Sequence, residues 1–206
     1  ENEYPDIEFL GEESANAAIG DGYLWIVDPL DGTRNYASGI PHFSTVVALV
    51  LNGNPLVGVN YDPVRQDLFE AELHKGAMHN GQSIEVSSRT NLKDSVIGMD
   101  MSYDNEGAIN GLDVIRSIWP GMQTVRVMGS AALGLSYAAA GITDLYFHHQ
   151  LAPWDQVAGL LLVKEAGGVV TDRSNKPAGL NSDGIIASNA ILHSEFLQKT
   201  ENLACL

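Results

Sequence analysis

Short apolar runs separated by turn residues fill the first hundred positions of the chain. Residues 24–27 form one such run, which stops at Asp28-Pro29, and this predicts a buried strand with a sharp exit. Residues 43–51 are rich in Val and Thr, Asn52-Gly53-Asn54 supplies a turn, and residues 55–61 return, which predicts a β-hairpin. A mostly antiparallel sheet is therefore expected, with further strands at 68–72, 83–86 and 95–99.

The second half of the chain alternates between helical and strand-like patterns. A helix is predicted before Pro120-Gly121, because apolar residues recur there at helical spacing. Those residues are Ile109, Leu112, Ile115 and Trp119. Further helices are predicted at 130–140, at 153–166 and after Asn189, where Ile191, Leu192, Phe196 and Leu197 give an amphipathic pattern, with short strands at 125–127, 145–147, 169–171 and 185–187.

This change of rhythm predicts stacked layers of helices and sheets, a fold of the α+β or α/β class. Two halves are expected to meet between positions 90 and 125. Residues 1–100 would form the antiparallel-sheet half, and residues 101–206 would form an α/β half.

The charge balance narrows the classes of partner. The 206 residues include 11 Lys and Arg against 26 Asp and Glu, a formal net charge of −15. Such a charge repels nucleic acid and anionic lipid, so neither is an expected partner, whereas divalent cations are attracted. The tryptophans are accordingly expected to be packing anchors and not platforms for stacked bases; they are Trp25, Trp119 and Trp154.

The cysteine content and the apolar runs bear on location. A single cysteine, Cys205, cannot form an internal disulfide, which favours a reducing compartment. No apolar run approaches the roughly 18 residues of a membrane span, and no signal-peptide pattern opens the chain. We therefore expect a cytoplasmic protein that does not associate with membranes.

Candidate chemistry begins where the first predicted strand ends, in Asp28-Pro29-Leu30-Asp31-Gly32-Thr33. Two carboxylates held this close repel each other unless a proton or a cation lies between them. The cluster contains only oxygen ligands, which favours a hard ion such as Mg²⁺ over Zn²⁺. A turn followed by a helix cap explains any single tripeptide of this kind equally well.

Two more acidic clusters accompany the first. Gly11-Glu12-Glu13-Ser14 follows an apolar pair, and Trp154-Asp155-Gln156-Val157-Ala158-Gly159 begins a predicted helix. Taken alone, the glutamates are typical of a solvated charge pair, and Asp155 is typical of a first helical turn. The functional hypothesis depends on all three clusters occurring in one chain.

Together the three clusters resemble the signature motifs of the inositol monophosphatase family, which belongs to the Mg²⁺-dependent, lithium-sensitive phosphatases. The matches extend over nearly the whole chain in the family's order, including Gly129-Ser130-Ala131-Ala132. The resemblance implies a layered α-β-α-β-α sandwich of the sugar phosphatase type. It also implies hydrolysis of a small phosphorylated alcohol by metal-activated water, and a homodimer.

The resemblance implies a role for each matching residue. Two or three Mg²⁺ ions, replaceable by Mn²⁺, would be bound by Glu12, Asp28, the Leu30 carbonyl, Asp31 and Asp155. Glu12, Asp31 and Thr33 would act in catalysis, with Thr33 activating the attacking water. Glu13 would contact the metal ligands without binding the metal itself. Substrate would contact Asp31, Gly32, Thr33, Gly129, Ser130, Ala131, His148 and Asp155.

Two departures from the family pattern stand out. The family has about two long helices before its Gly-Glu-Glu motif, and the sequence, which opens on Glu1, does not contain them. We expect that helical layer to be missing or truncated, with one face of the first sheet bare, whether the chain begins late or is naturally short. In inositol-specific members an acid lies seven positions before the aspartate of the Trp-Asp motif, where this chain has His148.

His148 favours a different alcohol, or a second anionic group, over inositol; a simple loop edge explains it as well. Alternative substrates are histidinol phosphate, fructose bisphosphate and adenosine 3′,5′-bisphosphate. A non-catalytic scaffold of the same family is the alternative function. The remaining histidines are expected at turns or on the surface; they are His42, His74, His79 and His193.

Overall fold

A computed structural model describes residues 7–12, 20–201 and 203. Its first sheet has seven strands in chain order. The first two strands run parallel and the remaining neighbours run antiparallel, as the hairpin pattern predicted. The strands are β1 (Glu8–Gly11), β2 (Tyr23–Asp31), β3 (Ser44–Leu51), β4 (Asn54–Asp62), β5 (Asp67–Glu72), β6 (Gly76–His79) and β7 (Gln82–Ile84).

A second sheet of five strands follows. Its strands are β8 (Val96–Met99), β9 (Thr124–Val127), β10 (Leu145–His148), β11 (Val169–Thr171) and β12 (Ile185–Ser188), in the order β11-β12-β10-β8-β9. The helices are α1 (Thr33–Ala37), α2 (Asn105–Ile118), α3 (Ala131–Ala139), α4 (Pro153–Glu165) and α5 (Ala190–Thr200), with a 3-10 turn at Leu92–Asp94.

Helices α3 and α4 form a layer between the two sheets. Helix α4 contacts β4 and β5 of the first sheet and β11 of the second, while α3 contacts β10 and β12. Every residue of α3 is buried, as its nearly uniform apolar sequence requires. Helices α2 and α5 contact each other and enclose a second core on the other side of the five-stranded sheet. This stacked α+β architecture confirms the predicted fold class.

Close backbone contacts hold α4 in the middle layer. A Cβ built on Gly58 of β4 would lie 2.8 Å from the Ala158 Cα, and one on Gly159 would lie 2.4 Å from a Leu135 methyl carbon of α3. Both distances are shorter than real carbon contacts, so α4 packs this tightly only because these positions lack side chains. The Ala158-Gly159 pair of the third motif therefore has a packing role.

The two faces of the first sheet differ. Residues of β3 alternate between buried and partly exposed. Val46, Ala48 and Val50 face the α3–α4 layer with at most 1% exposure, while the alternate residues are only partly buried.

Among the described residues, none of the helices is long and apolar enough to cross a bilayer.

Several expectations about individual side chains were wrong. Helix α2 forms, but Ile109, Leu112 and Trp119 are exposed, and the helix buries Gly111, Val114 and Ile118 instead. Both groups of residues recur at helical spacing, so either could form the buried face of α2. Packing against α5 buries the face that contains Val114 and Ile118. Trp119 is thus not a core anchor. Exposed Ile191 also departs from the pattern expected of α5, and the histidines expected at the surface include two buried ones, His42 and His193.

Candidate active site

The two aspartates of the second motif leave β2 on the same side of the sheet because the strand is irregular there. Asp28 pairs with Val46 and Asp31 with Ser44, so three steps along β2 match two along β3. This bulge re-aims the second side chain, which would otherwise point to the opposite face. Both carboxylates are buried, and Asp28 accepts a hydrogen bond from the Leu30 N–H at 2.8 Å.

Asp31 is held by the start of α3. Its carboxylate accepts hydrogen bonds from the Ser130 hydroxyl, from the Ser44 hydroxyl at 3.2 Å, and from the backbone N–H groups of Ala131 and Ala132, both at 3.2 Å. These two N–H groups belong to the helix terminus that favours negative charge. The Gly-Ser-Ala-Ala segment therefore positions Asp31, in addition to the substrate contacts that the resemblance implies for it.

Asp155 reaches the same place from the first turn of α4. Its Oδ2 atom accepts a hydrogen bond from the Ala152 N–H at 3.0 Å, which fixes the side chain against its own helix start. Oxygen atoms of Asp28, Asp31 and Asp155 all lie within 4.8 Å of one another. Two distant segments of the chain thus bring three buried carboxylates together.

The three carboxyl groups have raised pKa values because burial disfavours their charged forms. The pKa of Asp28 is raised to about 6, and those of Asp31 and Asp155 are raised to about 7. For Asp31 and Asp155 the charges of neighbouring aspartates add to burial, and for Asp28 and Asp155 the charge of Glu12 adds further. Such a cluster needs protons or a cation to be stable, and its all-oxygen donor set fits a hard divalent ion.

Glu12 follows β1, whose last residue, Gly11, pairs with Val27 of β2. This register brings Glu12 beside the Asp28 end of the neighbouring strand. Its charge reaches Asp28 and Asp155, but it does not belong to the group within 4.8 Å. Glu13 lies outside the described residues.

The turn after Asp31 brings three backbone segments into contact. Gly32 has φ of 87°, and a Cβ on it would lie 3.1 Å from the Gly129 carbonyl oxygen and 3.2 Å from that of His42. Glycine is therefore required both by conformation and by space. Helix α1 begins at Thr33, whose hydroxyl donates to the Leu30 carbonyl oxygen at 2.8 Å.

Two residues that sequence reasoning missed clamp the segment 128–130. Asp100 accepts hydrogen bonds from the N–H groups of Met128 and Gly129, and Asn35 donates to the carbonyl oxygens of both. Asp100 also accepts from the Tyr146 hydroxyl at 2.9 Å. The sequence held a signal for Asp100, which follows a predicted strand directly, as Asp28 does.

A cavity of about 260 Å³ opens over these groups. It gathers seven of the predicted site residues: Asp31, Gly32, Thr33, Gly129, Ala131, His148 and Asp155. Its lining does not include Glu12, Asp28, Leu30 or Ser130, although Asp28 lies beside Asp31 and Asp155. The other lining residues were not predicted: Arg34, Asn35, Asp100, Met101, Tyr103, Val127 and Leu151.

His148 is an uncharged group at neutral pH. Burial, reinforced by neighbouring His149, lowers its pKa to about 4. Its Nδ1 atom accepts a hydrogen bond from the Gln150 N–H at 3.1 Å. In the neutral ring the proton therefore lies on Nε2. A positive charge at this position, one of the bases for expecting a second anionic group on the substrate, is not supported.

Comparison with known proteins gives a consistent result. The family profile described as inositol monophosphatase family matches residues 1–204. The "Nus factor SuhB" of Pseudomonas aeruginosa is 38% identical over 90% of this chain and 71% of its own length. "Fructose-1,6-bisphosphatase/inositol-1-monophosphatase" of Thermotoga maritima is 38% identical over 95% and 73%. The solved inositol monophosphatase from Anabaena superposes with a TM-score of 0.91 at 35% identity, covering 100% of this chain and 82% of that one.

Proposed function

The chain belongs to the inositol monophosphatase family, and on that basis we propose that it is a Mg²⁺-dependent phosphomonoesterase acting on a small phosphorylated alcohol. The observation that carries the proposal is the convergence of Asp28, Asp31 and Asp155 within 4.8 Å, all buried. Buried carboxylates that lie close together lower the free energy of unfolding unless they bind a cation or protons. A functional site explains such a cluster better than a purely structural role does.

The donor set indicates which groups would hold the metal. Asp28, Asp31 and Asp155 offer carboxylate oxygens, and Glu12 adds charge from the end of β1. The Leu30 carbonyl would add a further oxygen ligand, as the family resemblance implies. When bound, Mg²⁺ supplies neutralisation of phosphate charge and a bound water of lowered pKa. The raised pKa values of the three aspartates mean that the ion would displace protons from them.

Thr33 is the residue we assign to the attacking water. Its hydroxyl proton is committed to the Leu30 carbonyl, so its oxygen lone pairs are available to accept a hydrogen bond from that water. The N–H groups of Gly32 and Thr33 lie at the start of α1 and would bind phosphate oxygens. The segment 129–131 would contact the alcohol, and Glu13 would support the ligands, as the family resemblance implies.

The charge of the cavity favours a monophosphate. Among the described residues that line the cavity, Arg34 is the single Lys or Arg side chain. A bisphosphate needs a second cationic group to offset its second phosphate. Fructose bisphosphate and adenosine 3′,5′-bisphosphate are accordingly poorer candidate substrates for this chain than a compound with a single phosphate.

Phosphate release from a panel of alkyl phosphates tests the proposal. We expect release that requires Mg²⁺, stops with EDTA and is inhibited by Li⁺. Asp28→Asn should lower kcat/KM by at least about 100-fold, because several kcal/mol of charge stabilisation depend on the ion that it holds. The matched control is Asp113→Asn on the surface of α2, where the carboxylate pairs with Arg116. Full activity of Asp28→Asn, or in EDTA, rejects the proposal.

A non-catalytic role is the second candidate, and the similarity to a protein named Nus factor favours it. That relative is as similar in sequence as the one named for phosphatase activity, so identity does not separate the two functions. Titration calorimetry does separate them. Binding of Mg²⁺ or Mn²⁺ at millimolar concentration supports the enzyme, and its absence supports the scaffold.

A further inference from the structure

Among the described residues, four large and mainly apolar side chains line the cavity beside the carboxylates. They are Met101, Tyr103, Val127 and Leu151. Two belong to the segment that follows β8, one ends β9, and one precedes α4, so they converge from separate parts of the second sheet. Three of them have substantial exposure, from 38% for Met101 to 68% for Tyr103, which leaves apolar surface open to a ligand.

The polar side chains of the same cavity are largely committed to the protein. Both oxygens of Asp100 accept hydrogen bonds from the protein, and the Asn35 Nδ2 atom donates to three carbonyl oxygens. The Thr33 hydroxyl donates to Leu30. Among the described lining residues, few side-chain donors therefore remain for the several hydroxyl oxygens of a polyol, and unsatisfied polar groups on either side cost binding energy.

His148 adds one donor and no carboxylate. With Nδ1 engaged by the Gln150 N–H and the ring uncharged, it offers a single Nε2–H. A carboxylate accepts hydrogen bonds from two adjacent hydroxyls, whereas an N–H donor suits a single acceptor atom on the ligand.

Arg34 contacts the aromatic ring of this lining. Its guanidinium carbon lies 5.4 Å from the centre of the Tyr103 ring, a cation–π contact at the cavity. The pKa of Tyr103 is raised to about 12 by partial burial of the phenol and then by the charges on Asp155 and Asp31. Tyr103, Asp31 and Asp155 line the same cavity, so the ring and these two carboxylates face a common space.

From this lining we propose that the preferred substrate is a phosphate monoester whose alcohol carries an aromatic ring. The ring lies against Tyr103, Met101 and Val127, and the phosphate faces the aspartates. The inference rests on the proposed phosphatase function and adds the class of leaving alcohol. Offset or edge contacts between aromatic rings and burial of apolar area supply the preference.

Two primary alkyl phosphates of similar intrinsic reactivity form the test: 2-phenylethyl phosphate and glycerol 1-phosphate, each with Mg²⁺. We expect kcat/KM to be about tenfold or more higher for the aromatic ester, the discrimination typical of an apolar pocket. The ratio should fall several-fold in Tyr103→Ser and remain near the wild-type ratio in Tyr103→Phe. The matched control is Tyr23→Ser, since this exposed tyrosine lies at the far end of β2 from Asp31.

Each remaining outcome is decisive. Preference for the glycerol ester overturns the inference and leaves the phosphatase proposal intact. A ratio that Tyr103→Ser does not change also overturns it. If neither ester is hydrolysed, the phosphatase proposal fails and the inference that rests on it fails with it, whereas hydrolysis of both esters with equal kcat/KM overturns the inference alone.

Discussion

Asp100 and Gly129 are joined by a 2.5 Å hydrogen bond, in which the Gly129 N–H donates to the Asp100 carboxylate. The two residues come from different strand ends, and Gly129 has φ of 82° and is followed by the serine that donates to Asp31. The second sheet therefore holds the segment that in turn holds a candidate metal ligand of the first sheet.

Removing this contact should weaken both the fold and the site. Asp100→Ala leaves the N–H groups of Met128 and Gly129 and the Tyr146 hydroxyl without their acceptor. We expect a loss of roughly 2–4 kcal/mol in the free energy of unfolding, measured with urea. The Tyr146 hydroxyl is buried, and an unsatisfied buried group costs about 1–3 kcal/mol, while the two N–H groups are only partly buried and cost less. Asp100→Asn retains an acceptor oxygen for the two N–H groups. It should recover most of the stability, and equal losses in both variants would contradict this account.

Proton binding by the aspartate cluster should make stability depend on pH. A carboxyl group whose folded pKa is raised stabilises the protein below its unfolded pKa, and this stabilisation is lost as pH rises through the folded value. For Asp31 that window runs from about 4 to about 7. In EDTA, Asp31→Asn should therefore exceed the wild type in stability at pH 8 by roughly 1–3 kcal/mol, and the difference should shrink at pH 5.

Thermal unfolding of the two proteins at both pH values measures this difference directly. The difference between the wild type and Asp31→Asn reports the contribution of Asp31 alone, because the buried histidines are present in both proteins. Their lowered pKa values make stability rise with pH, which is opposite to the effect of Asp31. A wild type that stays more stable than Asp31→Asn at pH 8 without metal would show that burial does not penalise the Asp31 charge.

Added Mg²⁺ should raise the melting temperature of the wild type more at pH 8 than at pH 5. Protons compete with the ion for Asp28, Asp31 and Asp155, and this competition weakens above their raised pKa values. An ion at about 100 times its Kd adds about 2.7 kcal/mol. Scanning calorimetry at several Mg²⁺ concentrations provides the measurement, and an equal rise at both pH values would contradict metal binding by this cluster.

Ser130→Ala should shift metal binding to higher pH. The Ser130 hydroxyl donates to Asp31 and stabilises its charged form, so its loss raises the pKa of Asp31 further. We expect Mg²⁺ affinity at pH 6.5 to fall by about tenfold, the lower part of the range known for residues that orient metal ligands. Calorimetry at pH 6.5 and 8.5 tests this. Ser44→Ala, which removes a longer contact of 3.2 Å, should have a smaller effect.

Gly159→Ala should destabilise the middle layer. The added methyl carbon would lie 2.4 Å from a Leu135 side-chain carbon, which forces α3 and α4 apart. Overpacking of this kind costs about 1–3 kcal/mol, and urea unfolding measures it. The control is Gly179→Ala, where nothing lies within 4 Å of the new methyl group. Similar stability of the two variants would show that the layer can absorb the extra volume.

Much of the fold was predictable from the chain itself, because local patterns carry local structure. Alternating apolar residues and turn dipeptides placed the strands β2 to β5, and capping residues such as Ser130 and Asn189 marked helix starts that the structure confirms. The ligand candidates Asp28, Asp31 and Asp155 were also visible in the sequence, since acids that directly follow a buried strand or open a helix form compact motifs.

Tertiary structure alone decided which faces and partners these elements use. Helix α2 could bury either of two apolar stripes, and only its contact with α5 selected the one that contains Val114 and Ile118. Likewise, the cavity wall of Met101, Tyr103 and Val127, the clamp by Asp100 and the neutral state of His148 arise from segments far apart in sequence. The pattern of residues along a segment predicts its local structure. Its burial and the protonation state of its side chains depend on which other segments pack against it.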